Sequence, residues 1–186
     1  VSFGIAVIAG KILIPILRRL KAGQSIKTDG PTWHMTKQGT PTMGGLMFIF
    51  ATIICLLISI PSLKEYTAFY ALIPALCFGL IGFLDDFTKI KFKRNLGLTA
   101  WQKASLQMIV SALYLYLLYK EGSLSCNLYI PFVNVSFAIH PLVYIFFAMF
   151  VMVGCVNAVN LTDGVDGLSS SVTIPVMVFF AAAAIA

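Results

Sequence analysis

Two adjacent carboxylates, Asp85 and Asp86, stand where a strongly apolar segment gives way to a basic one, in the stretch FGLIGFLDDFTKIKFKRNLGL from Phe78 to Leu98. Lys89, Lys91, Lys93 and Arg94 follow at once. A helix ending at Leu84 would place both acids at its negative pole, which is unfavourable without a neighbouring cation. A divalent metal or the lysines would each remove that conflict. Groups that attract a cation, set beside groups that attract an anion, suit phosphate chemistry at a membrane surface.

A second polar cluster, NAVNLTDGVDGL, runs from Asn157 to Leu168. Asn157 and Asn160 are three apart, as are Asp163 and Asp166, so each pair shares a face wherever the chain is helical. Asp163-Gly164 and Asp166-Gly167 also carry turn propensity, and turn chemistry at a membrane surface is the plainer reading. No Lys or Arg follows Lys120, however. These carboxylates therefore want an external cation or a donor-rich ligand, such as a metal, a nucleobase or a sugar edge.

The third stretch, QSIKTDGPTWHMTKQGTPTMGG from Gln24 to Gly45, is rich in Gly, Pro, Thr and Lys. Such composition specifies a defined irregular backbone, whose amides can form anion-binding concavities. Lys37 and His34 are its candidate phosphate contacts. A solvated connector, with Gly44 and Gly45 serving only close helix packing, is the alternative.

The elements that hold these clusters are membrane spans. The 186 residues are 59% hydrophobic and only 11% charged, with a mean hydropathy of +0.93; soluble domains carry roughly a quarter charged residues. Six apolar segments run from Val1 to Leu17, Met43 to Ile60, Phe69 to Leu84, Ala104 to Tyr119, Leu142 to Val156 and Val172 to Ala186. Several fall short of the ~20 residues that cross a hydrocarbon core, but each can borrow flanking residues. The expected fold is an all-α polytopic membrane protein, one transmembrane domain over residues 1–186. The outer segments are cut by the chain ends, so a longer protein is expected. No secretory signal is read at the start. Between Gly122 and His140 the chain has strand character, and a small external β-hairpin is expected there, with Pro131 confined to an edge or turn. Cys55, Cys77, Cys126 and Cys155 show no metal-ligand spacing and read as structural.

Charge sets the orientation. Ten of the thirteen Lys and Arg lie in two stretches, Arg18 to Lys37 and Lys89 to Lys103. The positive-inside rule makes these cytoplasmic, giving expected cytoplasmic loops at about 18–43, 85–103 and 157–171. The net charge of +6 is thus gathered on one face, which suits anionic headgroups or phosphorylated substrates and not nucleic acid. Lys11, inside the first span, is a candidate for function or for pairing within the bundle.

Together, DGPTWHMTKQGTPTMGG (Asp29 to Gly45), GFLDDFTK (Gly82 to Lys89) and NAVNLTDGVDGL (Asn157 to Leu168) resemble the polyprenyl-phosphate N-acetylhexosamine-1-phosphate transferase superfamily. Within it they look like the bacterial phospho-N-acetylmuramoyl-pentapeptide transferases. The resemblance implies transfer of a phosphosugar from UDP-N-acetylmuramoyl-pentapeptide to undecaprenyl phosphate, with magnesium as cofactor. It also implies a multi-pass protein of the bacterial inner (plasma) membrane, an active site on the cytoplasmic side, and a homodimer. It assigns catalysis to Asp85, Asp86 and Asp163, and magnesium or the lipid phosphate to Asp85 and Asp86. Lys37, Thr42, Lys89, Asn157, Asn160, Asp163 and Asp166 are its substrate contacts, the last three and their neighbours facing the nucleotide. Full members carry further spans, a further Asp-containing metal loop and a histidine-rich loop, which this sequence lacks.

Other readings fit less well. A transferase using UDP-N-acetylglucosamine would differ in the GTPTMGG loop. A secondary transporter places its ionisable residues near mid-membrane in broken helices, whereas these acids fall at one surface. A CDP-alcohol phosphotransferase needs a longer Asp ladder than DGVDG. A prenyl synthase needs an acid where Lys89 stands.

Overall fold

The computed structural model describes residues 1–19, 42–59, 67–92, 96–130, 132–164 and 167–185. These form α1 (Ser2–Arg19), α2 (Gly45–Ser59), α3 (Thr67–Phe92), α4 (Ala100–Lys120), β1 (Asn127–Ile130), β2 (Val135–Ala138), α5 (Pro141–Thr162) and α6 (Leu168–Ile185). Each expected apolar segment is a helix, because in lipid only internal pairing can satisfy the backbone. The fold is all-α and polytopic. By length and composition α3, α5 and α6 can each cross a membrane, and α2 is a shorter apolar helix. In α1 the apolar run carries Lys11, Arg18 and Arg19; in α4, Lys103, Gln107 and Lys120.

Two compact units divide the chain, Val1–Val110 and Ser111–Ala186. In the first, α1 packs on α2 and α2 on α3. Small residues let them approach: a Cβ at Gly10 would stand 3.2 Å from Met47 Sδ, and one at Gly79 would stand 2.6 Å from Ile49 Cδ1. Leu17, Ala51 and Ile81 are buried there. Lys11 lines a shallow apolar groove with Gly10, Met47 and Phe48. Just before α2, Met43 holds φ at +67°, a left-handed conformation that costs a side-chain-bearing residue about 1 kcal/mol.

In the second unit β1 and β2 form an antiparallel hairpin, with Asn127 opposite Ala138 and Ile130 opposite Val135. The Tyr129 hydroxyl donates to Asn134 Oδ1 at 2.9 Å. The hairpin follows α4, whose end is a Schellman motif: Ser123 N–H donates to the Leu118 carbonyl at 3.0 Å and Gly122 N–H to Tyr119 at 3.1 Å. Gly122 takes the left-handed φ of +71° that this closure requires. His140 caps α5, its Nδ1 accepting from Leu142 N–H at 3.4 Å, with Pro141 in the first turn. The four cysteines are free thiols.

The helices run further than the apolar segments that marked them. The third span does not stop at Leu84, because α3 continues to Phe92. At 1.5 Å per residue its 26 residues extend roughly 39 Å against a ~30 Å hydrocarbon core, so its last turns can reach the polar interface without unwinding. Of the stretch 85–103, residues 85–92 are helical in α3 and 100–103 in α4. Of the stretch 157–171, residues 157–162 are helical in α5 and 168–171 in α6.

Candidate functional site

The carboxylate pair lies on α3 itself, two turns from its end. There Lys89 is three residues from Asp86 and four from Asp85, the spacings at which helical side chains meet. Lys89 Nζ lies 2.7 Å from Asp85 Oδ2 and 3.0 Å from Asp86 Oδ1, so one ammonium bridges both acids. Acid before base is the favourable order along a helix, and Lys89 and Lys91 in the last turn also complement the helix dipole. The conflict expected of two acids at a helix end is resolved by this placement. Phe83 and Phe87 stack one turn apart, with centroids at 6.0 Å.

The two acids are not equivalent. Asp85 is 9% exposed as a residue, and its Oδ1 accepts the Leu98 N–H at 2.8 Å. Both of its oxygens are therefore engaged. Asp86 is more open, its side chain 28% exposed, and among the described residues it is bonded through Oδ1 alone. Leu98 lies in the turn just before α4 begins at Ala100. That turn is held by a capping box: Thr99 Oγ1 accepts from Gln102 N–H at 3.3 Å, and Gln102 Oε1 accepts from Thr99 N–H at 3.0 Å.

In the second unit, Asn157 and Asn160 do share a face, near the end of α5. Asn157 Nδ2 donates to the Val153 carbonyl at 2.8 Å. Asp163 is the C-cap, its N–H reaching the carbonyls of Val159 and Leu161, and it is exposed. No basic residue stands in the last turn of α5. Here, and not at Asp85, an acid sits on a helix's negative pole without local compensation. That supports a ligand bringing positive charge or hydrogen-bond donors.

The described residues bring Asp85, Asp86 and Lys89 into contact. Thr42 is half-buried ahead of α2. Lys37 and Asp166 lie outside the described residues, as do His34, Lys93 and Arg94. Sequence reasoning missed Gly97, Leu98 and the capping box. The spacing Thr99-x-x-Gln102 before an apolar run was the available signal for the box.

Among the described residues no three His, Cys, Asp or Glu side chains converge as a metal cage. A magnesium ion held by one or two carboxylates together with substrate phosphate needs no such cage. The open oxygen of Asp86 is compatible with that kind of site.

A helix long and apolar enough to cross a membrane thus carries two acids bridged by one lysine. The chain belongs to glycosyl transferase family 4, whose match covers residues 68–186. Residues 37–49 match the phospho-N-acetylmuramoyl-pentapeptide-transferase signature 1. Relatives named phospho-N-acetylmuramoyl-pentapeptide-transferase are 46% identical over 97% of this chain in Clostridium acetobutylicum, 47% over 97% in Clostridioides difficile and 49% over 96% in Clostridium perfringens. The chain spans about half the length of these relatives, 56%, 55% and 55% respectively.

Proposed function

We propose that the protein containing this chain transfers phospho-N-acetylmuramoyl-pentapeptide from its UDP-linked donor to undecaprenyl phosphate. An oxygen of the lipid phosphate attacks the β-phosphorus of the donor. A new P–O bond forms, the bond from the β-phosphorus to the bridging oxygen breaks, and UMP departs with the electron pair. The product is a lipid-linked sugar diphosphate, the first lipid intermediate of peptidoglycan.

The observation that carries this reading is the Asp85–Lys89–Asp86 bridge, in a chain that shares close to half its residues with transferases of that name. Two anions must meet, so positive charge has to be held ready where they do. Lys89, fixed between two acids, presents an oriented ammonium to phosphate. Asp86, with an open oxygen, and Asp85 would hold magnesium, which would neutralise charge between the two phosphates. A phosphate monoester titrates near ~6, so little proton removal is needed at neutral pH. Asp85 and Asp86 accordingly organise charge more than they act as general bases. Asn160 and Asp163, with Asp166 and Asn157, provide amides and acceptors for the uridine end. Lys37 and Thr42 contribute phosphate and sugar contacts from the loop carrying the signature. The lysine asymmetry supports a cytoplasmic site in the plasma membrane.

The test is UMP release by the purified full-length protein, supplied with undecaprenyl phosphate and either UDP-N-acetylmuramoyl-pentapeptide or UDP-N-acetylglucosamine, with and without magnesium. Release is expected only with the first donor and only with the metal. Turnover of the second donor instead would move the protein to the N-acetylglucosamine branch, and magnesium-independent release would remove the metal from the proposal.

A further inference from the structure

Asp85 is the buried member of its pair, and what closes over it comes from the far side of the connection between α3 and α4. Gly97 is itself buried. A Cβ there would overlap Asp85 Oδ1 and lie 2.5 Å from the Asp85 carbonyl oxygen and 2.7 Å from its Cγ. Real Cβ atoms do not come this close, and the obstacles are helix backbone and a carboxylate bonded at both oxygens. The next residue supplies the Leu98 N–H to Oδ1. The one after, Thr99, begins the capping box that starts α4. Gly97 and Leu98 thus form a clasp on the acid, and Thr99 ties that clasp to the start of α4.

We infer that Gly97 is a positioning residue for Asp85: its missing side chain lets Leu98 N–H reach Oδ1, which leaves Oδ2 to Lys89 and sets the ammonium between both acids. The inference deepens the function proposed above and rests on its placing of Asp85 in the transfer site. A side chain at 97 has to push the turn outward until its Cβ clears the helix. An N–H···O bond of 2.8 Å lengthened past about 3.5 Å is no longer a bond. Asp85 would then be free to rotate, and Lys89 would lose its fixed bearing on phosphate.

The experiment is steady-state kinetics on the full-length protein carrying Gly97→Ala, Asp85→Asn, or both, with Gly82→Ala as the comparison. A Cβ at Gly82 meets nothing within 4 Å. Gly97→Ala is expected to lower kcat by about tenfold or more while leaving the nucleotide KM within about twofold. Gly82→Ala should match wild type. In the Asp85→Asn background Gly97→Ala should cost less than about threefold, because both changes act through one group. Equal fold-losses in the two backgrounds would overturn the positioning role and leave the proposed function standing. Full turnover by Asp85→Asn would overturn the placing of Asp85 in the site, and the inference with it. Hydrogen exchange at the Leu98 amide reads the clasp without activity: protection is expected in wild type, reduced by about tenfold or more in Asp85→Ala. An unprotected Leu98 amide in wild type overturns the inference even if Gly97→Ala fails to insert.

Discussion

Lys89 places its ammonium 2.7 Å from Asp85 and 3.0 Å from the adjacent Asp86, so that a single cation serves both acids on one face of α3. Removing it leaves two neighbouring carboxylates without their shared partner. Lys89→Met should therefore lower turnover by at least about thirtyfold at saturating substrates, equivalent to ~2 kcal/mol of transition-state stabilisation. Lys89→Arg should recover only part of this, because a larger planar guanidinium does not hold its charge at the point where the compact ammonium stands. Wild-type turnover in Lys89→Met would refute the assignment.

The two acids should separate by stability as well as by rate. Asp85→Asn and Asp86→Asn should each cost about thirtyfold or more in kcat. Asp85 is the more buried, and its neutralisation weakens its bonds to both Lys89 and the Leu98 N–H, so it should also lower the thermal midpoint of the solubilised protein. Asp86→Asn should leave that midpoint nearly unchanged, since exposed ion pairs contribute only about 0–1 kcal/mol. Equal midpoints for the two variants would contradict the burial difference seen here.

Asp163 gives a prediction of opposite sign. An acid at the end of α5, with no base in the last turn, disfavours the helix it caps. Asp163→Asn should raise thermal stability by up to about 1 kcal/mol and weaken nucleotide binding by roughly fivefold or more. Isothermal titration with the UDP-linked donor, beside thermal unfolding, measures both. A variant that is less stable and binds equally well would place Asp163 outside the ligand site.

The capping box is tested through helix stability, not turnover. Thr99→Ala removes one of its two reciprocal bonds and should cost about 1 kcal/mol. Hydrogen exchange over the first turn of α4 should speed up accordingly. Unchanged exchange in that turn would show that the box does not hold the helix start.

Orientation is checked by labelling. With Cys55, Cys77, Cys126 and Cys155 replaced by serine, a single cysteine at Leu96, an exposed position, should react only with a reagent delivered from the cytoplasmic side. Labelling solely from outside would reverse the topology and remove the site from its proposed substrates.

Much of this was legible in the residues. Hydropathy located every helix, because a chain in lipid must pair its own backbone and can do so over an apolar run only as a helix or a closed barrel. The β-branched and aromatic residues of Asn127 to Phe137 marked the hairpin. Asp85, Asp86 and Lys89 announced themselves by type, and three linear motifs carried the resemblance. Where α3 ends was not legible, since hydropathy falls at Asp85 while the helix continues: a helix stabilised by its own i, i+3 and i, i+4 ion pairs does not need apolar residues to persist. The contact between Asp85 and the Leu98 amide belongs to the tertiary structure alone. Thirteen residues separate the two, and nothing local to either specifies that they meet. Composition and spacing decided which groups are present and which apolar segment they follow. The turn through Gly97, possible only where two stretches of backbone come within a Cβ's width, decided which acid is locked and which is left open.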